Sequence, residues 1–353
     1  MVFRSVRLAS GSQSVDRDDS SHVSREDLYS SLARSIGRTP FSEVLGLDLP
    51  RGCRVWAKEE YRNPTASHYD REMWRFLQNL EQLNAITPGE TRMLETTTGN
   101  SGASFSWLCR VLGYPPPTII IPEDMPRARI AQIRSFGAEV IESPAGQYIT
   151  GIAETFQAVA PELIDEQGYY APQHWNDQYH CVAGMTELGH EIVQNAAEQS
   201  VELDYFMLAL GNGGSARGAG QVLKDEGIRL LGVEPAESPI IAEYSRLRPT
   251  KRWTSSEVHR PHAILGTGPF QPSEIYTNMR YVVENELLEP EILHPSSADA
   301  ANVQRELMDK SFQHVGMSSA ACIWAVRDFI QRSKPRRPKN FGVIFYDPAW
   351  KYL

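Results

Sequence analysis

Short apolar runs alternate with helix-period segments in two separate stretches of the chain, and no other feature limits its fold as much. In the first stretch, residues 92–95 read as a strand, 101–112 as a helix, 118–121 as a strand, 127–136 as a helix and 140–142 as a strand. In the second, residues 205–210 form a strand, 215–226 a helix and 230–233 the next strand. Strands of this length joined through helices run parallel, and a parallel sheet needs helices on both faces to bury it. A long stretch from about 145 to 204 separates the two series, so each is expected to build its own sheet. A chain of 353 residues also exceeds what one core usually organises. The expected architecture is therefore α/β with two lobes, each a mainly parallel sheet flanked by helices.

Composition narrows the function classes. A formal net charge of −9 opposes general nucleic-acid binding, which depends on basic surface. The basic run from Lys334 to Lys339 is broken by Pro335 and Pro338 and reads as a solvated loop between a helix and a strand. Cys53, Cys109, Cys181 and Cys322 are scattered, with no CxxC spacing for a metal and too few thiols for a disulfide scaffold. The basic opening residues lead into no apolar core, and no apolar run approaches membrane-spanning length. A cytoplasmic setting with no membrane, nucleic-acid or metal partner is the expectation. Residues 1–25 are rich in Ser, Asp and Arg and read as a disordered tail. Beyond them Ser24 caps a helix with Asp27 in its first turn and Leu28, Leu32 and Ile36 on one face.

Three segments carry chemistry. Gly211-Asn212-Gly213-Gly214-Ser215 lies between an apolar strand and a helix, where tight glycine turns and a helix N-terminus offer N–H groups to an anion. Arg217 is placed to add charge there. Equally, the segment reads as a plain strand-to-helix turn. Thr97-Thr98-Gly99-Asn100-Ser101 likewise follows a strand and opens a helix. It reads either as a carboxylate grip, with Asn100 toward a flat ligand, or as an N-cap cluster. Residues 61–71 (YRNPTASHYDR) follow the strand-like run at 54–58 and precede a helix with Met73, Phe76 and Leu77 on one side.

In this order the segments resemble the tryptophan-synthase-β superfamily, the fold-type II pyridoxal-phosphate (PLP) proteins, and within it the cysteine synthase branch. Gly37-Arg38-Thr39-Pro40 is similar to the family's opening G-N-T-P, Asn63 to Arg71 to N-P-x-x-S-x-K-D-R, and Glu95 to Gly102 to the substrate loop. Gly316-Met317-Ser318-Ser319-Ala320 resembles G-I-S-S-G, and Asp347 to Leu353 resembles D-S-G-E-R-Y-L. The resemblance implies a smaller N-terminal lobe at 60–172 and a larger lobe from 26–59 plus 173–353. It implies cofactor contacts from Asn100, Gly211, Asn212, Gly213, Gly214, Ser215, Gly266 and Ser318. Substrate contacts would come from Thr97, Thr98, Gly99, Ser101 and Gln173. It also implies a homodimer acting on a small amino acid by β-elimination or β-replacement.

One position departs from that pattern. The Schiff-base lysine falls at Tyr69, and tyrosine forms no imine. The chain's lysines are Lys58, Lys224, Lys251, Lys310, Lys334, Lys339 and Lys351, and none stands as an obvious replacement. Three readings follow. PLP is held non-covalently, with Tyr69 or His68 moving protons; or the cleft serves another phosphorylated or carboxylated metabolite without PLP; or the chain is a non-catalytic relative.

Overall fold

The computed structural model describes residues 24–177, 179–247, 259–268 and 275–353. Most of the expected tail, residues 1–23, lies outside them. The helix after Ser24 is α1 (Arg25–Ser35), and the Ser24 side chain accepts the Asp27 N–H as its cap. Its Leu32, together with Ile36, packs into the apolar cluster of the smaller lobe, and Tyr29 meets the edge of Trp74 with centroids 5.0 Å apart. This start of the 26–59 segment, expected with the larger lobe, therefore lies on the smaller one. The reason is that its apolar stripe faces α2 (Tyr69–Gln82).

Numbered in chain order, the larger sheet contains β1 (Phe41–Glu43), β2 (Arg54–Lys58), β6 (Tyr205–Ala209), β7 (Arg229–Val233), β8 (Ile292–Leu293) and β9 (Asn340–Ile344). Its spatial order is β1-β2-β9-β6-β7-β8, with β1 antiparallel and the other pairings parallel. The smaller sheet is β3 (Leu94–Thr96), β4 (Thr118–Pro122) and β5 (Glu139–Ser143), all parallel. The strands of the two sequence series fall in these places, each end within two residues of its expected position. Central strands are buried along nearly their whole length, as in Thr118–Pro122 and Tyr205–Ala209, because helices cover both faces.

Among the covering helices, α3 (Asn100–Val111) and α4 (Arg127–Ser135) belong to the smaller lobe. Helices α6 (His180–Glu198), α7 (Gly214–Asp225) and α11 (Met317–Ser333) cover the larger sheet. Both site loops leave the carboxyl ends of parallel strands, where open α/β sheets bind ligands. No helix among the described residues is long and apolar enough to cross a membrane. No group of three His, Cys, Asp or Glu side chains among them could hold a metal ion.

Helices α2 and α6 cross at Gly184, where an added Cβ would stand 2.3 Å from the Arg71 carbonyl oxygen. That backbone cannot yield without shifting the start of α2. Gly184→Ala is therefore expected to cost roughly 1–3 kcal/mol, read as a lower urea midpoint at unchanged m-value.

Candidate functional site

The loop after β3 is organised by one hydroxyl. Thr97 Oγ1 accepts the N–H groups of Gly99 and Gly102, both at 2.9 Å, and lies 2.8 Å from Ser101 Oγ. Gly99 has φ +137°, and a Cβ there would strike the Arg129 side chain at 2.5 Å, so glycine is required. The helix α3 then begins. Among the described residues the N–H groups of Thr98, Asn100 and Ser101 find no hydrogen-bond partner. Three free amides at a helix N-terminus suit an anion.

Thr97, Thr98 and Ser101 line a cavity of about 360 Å³, closed on its other sides by Tyr69, Gln173, His174, Trp175, Tyr148 and Tyr276. This volume lies in the range of small-ligand pockets. The expected substrate residues Thr97, Thr98, Ser101 and Gln173 meet here. Gly99 shapes the loop without reaching the wall. Gly266 faces this cavity and also the adjoining slot.

That slot lies between Asn100, Ser318 and the loop Gly211, Asn212, Gly213 and Ser215, with His68, Arg129 and Tyr346 also on its wall. It holds about 50 Å³, room for a water or two. Gly214 does not face it. Its N–H donates to Asn212 Oδ1 at 2.9 Å. Gly213 takes φ +95° because the start of helix α9 (Thr277–Glu284) presses on it, the Met279 nitrogen lying 2.5 Å from where a Cβ would stand. Arg217, expected to point charge at the loop, instead donates to Asn278 Oδ1 and stacks on Tyr281.

Asn100 is already committed. Its Nδ2 donates to Asp347 Oδ2 at 2.7 Å, and its Oδ1 accepts from Lys351 Nζ at 2.9 Å. Lys351 Nζ also donates to the Thr65 carbonyl at 2.8 Å, and Arg129 pairs with Asp347 at 3.2 Å. Lys351 is fully buried, and burial brings its pKa down to about 8. The sequence places Lys351 near the matched C-terminal segment. Its reach to Asn100 depends on the turn at 348–352, which no periodicity displays.

Tyr69 opens α2 with its ring 4.3 Å from that of His68 and 6.2 Å, edge-on, from that of His174. Burial pushes its phenol well above the usual value, with Glu72 adding to the effect. Tyr69 therefore keeps its proton and has a hydroxyl to offer as a donor. Burial also takes His68 down to about 4, so its imidazole is neutral, and its Nδ1 has no partner. Burial works against protonated His174 as well, but Glu95, with Nδ1 3.3 Å from its Oε1, outweighs it and leaves the pKa raised.

Glu72, one turn on from Tyr69, carries no sequence signal of its own. It is buried, its Oε1 has no hydrogen-bond partner, and its Oε2 lies 3.2 Å from where a Gly214 Cβ would be. Burial lifts its pKa to about 7, with Asp177 acting in the same direction against His174 and Asn212.

Two parallel-sheet lobes, with a glycine loop on one facing a hydroxyl-rich helix N-terminus on the other, define a fold-type II architecture. The chain belongs to the pyridoxal-phosphate dependent enzyme family, whose model matches residues 32–347. It is 27% identical over 306 residues to cysteine synthase of Staphylococcus aureus, covering 86% of this chain and 88% of that one. A hydrogen sulfide-producing enzyme from Fusobacterium nucleatum superposes with a TM-score of 0.77 at 26% identity, over 91% of this chain and 97% of the other. An O-acetylserine dependent cystathionine β-synthase from Helicobacter pylori gives 0.74 at 26%, over 91% and 96%.

The family implies PLP, and the residues present here do not fit it. Asn100 has both ends of its amide engaged by Asp347 and Lys351, a buried carboxyl backs the glycine loop, and among the described residues no lysine lines the cavity or the slot.

The Glu72 environment has a consequence for stability. Its pKa is raised from 4.5 unfolded to about 7 folded, so the folded state binds the extra proton. That contribution is complete below pH 4.5 and is lost as the pH rises through 7. Glu72→Gln, which never ionises, should gain on the wild type by on the order of 3 kcal/mol between pH 5 and pH 8, measured by denaturant titration at both.

Proposed function

We propose that this chain binds a small carboxylate-bearing metabolite, of amino-acid size, in the 360 Å³ cavity and does so without pyridoxal phosphate. The observation that carries the reading is the pair of free amides at Thr98 and Ser101, held in place by Thr97 at the cavity wall, with the free amide of Asn100 beside the adjoining slot. A carboxylate placed there completes the N-terminus of α3 and takes up its dipole. Tyr69 and His174 line the same space and are both held toward their protonated forms, so they present donors to the ligand. The aromatic faces of Tyr148, Trp175 and Tyr276 supply the apolar contact.

The cysteine synthase relatives favour a second reading, β-elimination or β-replacement on a small amino acid with PLP held non-covalently. That chemistry needs a base to take the α-proton. Tyr69 keeps its own proton, and His68, with a pKa near 4, is a weak base. These properties support binding over turnover.

Calorimetry with L-serine, O-acetyl-L-serine and L-cysteine, with and without PLP, separates the two. The expected result is binding of at least one of them with no PLP present, weakened about tenfold or more by Thr97→Val, which removes the hydroxyl that sets the loop. Stoichiometric uptake of PLP, followed by an aminoacrylate absorbance or pyruvate release with any of these amino acids, would establish the second reading instead.

A further inference from the structure

We infer that Glu72 is the residue that closes the glycine loop to phosphate, so that the loop of this chain discriminates against the anion its geometry otherwise suits. The inference rests on the PLP-independent reading above and names the residue responsible for it. Two acceptor oxygens face the start of α7. Glu72 Oε2 and Asn212 Oδ1 lie 3.2 and 3.3 Å from the position of a Gly214 Cβ. The Asn212 oxygen takes the Gly214 N–H, removing one donor from the loop. The Glu72 carboxyl comes up from α2 behind it, buried and with Oε1 unpartnered.

The groups around that carboxyl do not neutralise it. Tyr69, on its own helix, stays a neutral phenol. Cys181, from α6, has its thiol pushed well up by burial and is also neutral. Asp177 adds a second negative charge, although its carboxylate is engaged by the Cys181 and Tyr179 N–H groups and by His180. Positive charge reaches Glu72 from His174, which Glu95 shares. Arg217, which starts from the same helix end, is turned away to Asn278 and Tyr281. A phosphate in the loop would therefore have a buried carboxylate behind it, while the cation on the slot wall, Arg129, is already paired with Asp347. At low effective dielectric that repulsion is large. The same arrangement tolerates a neutral or hydrogen-bond-donating group at the loop.

Inorganic phosphate is the probe of choice, because it tests the loop alone, with no ring to be placed beside it. Its affinity is measured by calorimetry at pH 8 and pH 5.5 for the full-length wild type, Glu72→Gln and Glu72→Leu, each checked for native near-UV circular dichroism. The ratio of variant to wild-type affinity cancels the titration of phosphate itself. At pH 8 both variants should bind on the order of tenfold tighter than wild type or better, and at pH 5.5 the ratio should fall toward one. No gain at pH 8 in either variant overturns the inference. So does a gain in Glu72→Gln alone, because the new amide donor would then be its cause.

A parallel PLP titration of the wild type keeps the two claims apart. If the wild type takes up PLP stoichiometrically while both variants still bind phosphate more tightly, the PLP-independent reading fails and Glu72 is left as a residue that weakens phosphate binding without closing the loop. If the wild type ignores PLP and the variants gain nothing, the reverse holds.

Discussion

Asp347 holds the two lobes in register. It leaves the end of the larger sheet just beyond β9 and meets Arg129 from α4 and Asn100 from α3, both in the smaller lobe. Lys351 then folds back to the same Asn100 and to the Thr65 carbonyl. Arg129, Asp347 and Lys351 are all essentially inaccessible to solvent. Charges so placed add little net stability over an apolar core, but removing one member leaves its partners charged and unsatisfied, which is costly. The network therefore acts as a determinant of geometry. It fixes the distance between the substrate loop and the glycine loop, and with it the size of both the cavity and the slot.

The same network explains why the glycine loop and the substrate loop differ in what they can take. The substrate loop keeps its amides open because Thr97 satisfies the loop from within. The slot beside the glycine loop is walled by Asn100, which is held by the lobe-bridging charges, while Glu72 backs the loop itself. One side of the cleft thus presents open amides, and the other presents the engaged amide of Asn100 with Glu72 behind the loop.

Much of the fold is legible in the sequence because its central strands are mostly apolar and short, with helix-period segments between them. Residues 118–121 and 205–210 announce buried parallel strands without reference to anything distant. The substrate loop is legible for a similar reason, since Thr97, Gly99 and Ser101 act on one another within a few residues. Glu72 is not. On the sequence it is one more acidic residue in the first turn of a helix, where carboxylates are ordinary. Only the crossing of α2 with α6, which sets it against the start of α7, buries it. Lys351 and Arg129 stay hidden for the same reason, being paired with residues 251 and 218 positions away. The helix at 25–35 shows its apolar stripe plainly, yet the sequence assigns it to the larger sheet and the structure to the smaller lobe. A stripe says that a face is covered and not by what.

The order of strands in the larger sheet has a consequence for how the chain comes together during synthesis. The three strands of the smaller sheet lie between residues 94 and 143 and pair with their sequence neighbours, so that unit is complete early. In the larger sheet, β2 at residues 54–58 and β6 at 205–209 are joined only through β9 at 340–344. Until those residues have left the ribosome, both strands carry an open edge. Contacts so distant in sequence are slow to form, and open edges invite pairing with other chains. The nascent protein therefore passes most of its synthesis with a finished small lobe and an unsealed large one, the state in which it most needs a chaperone.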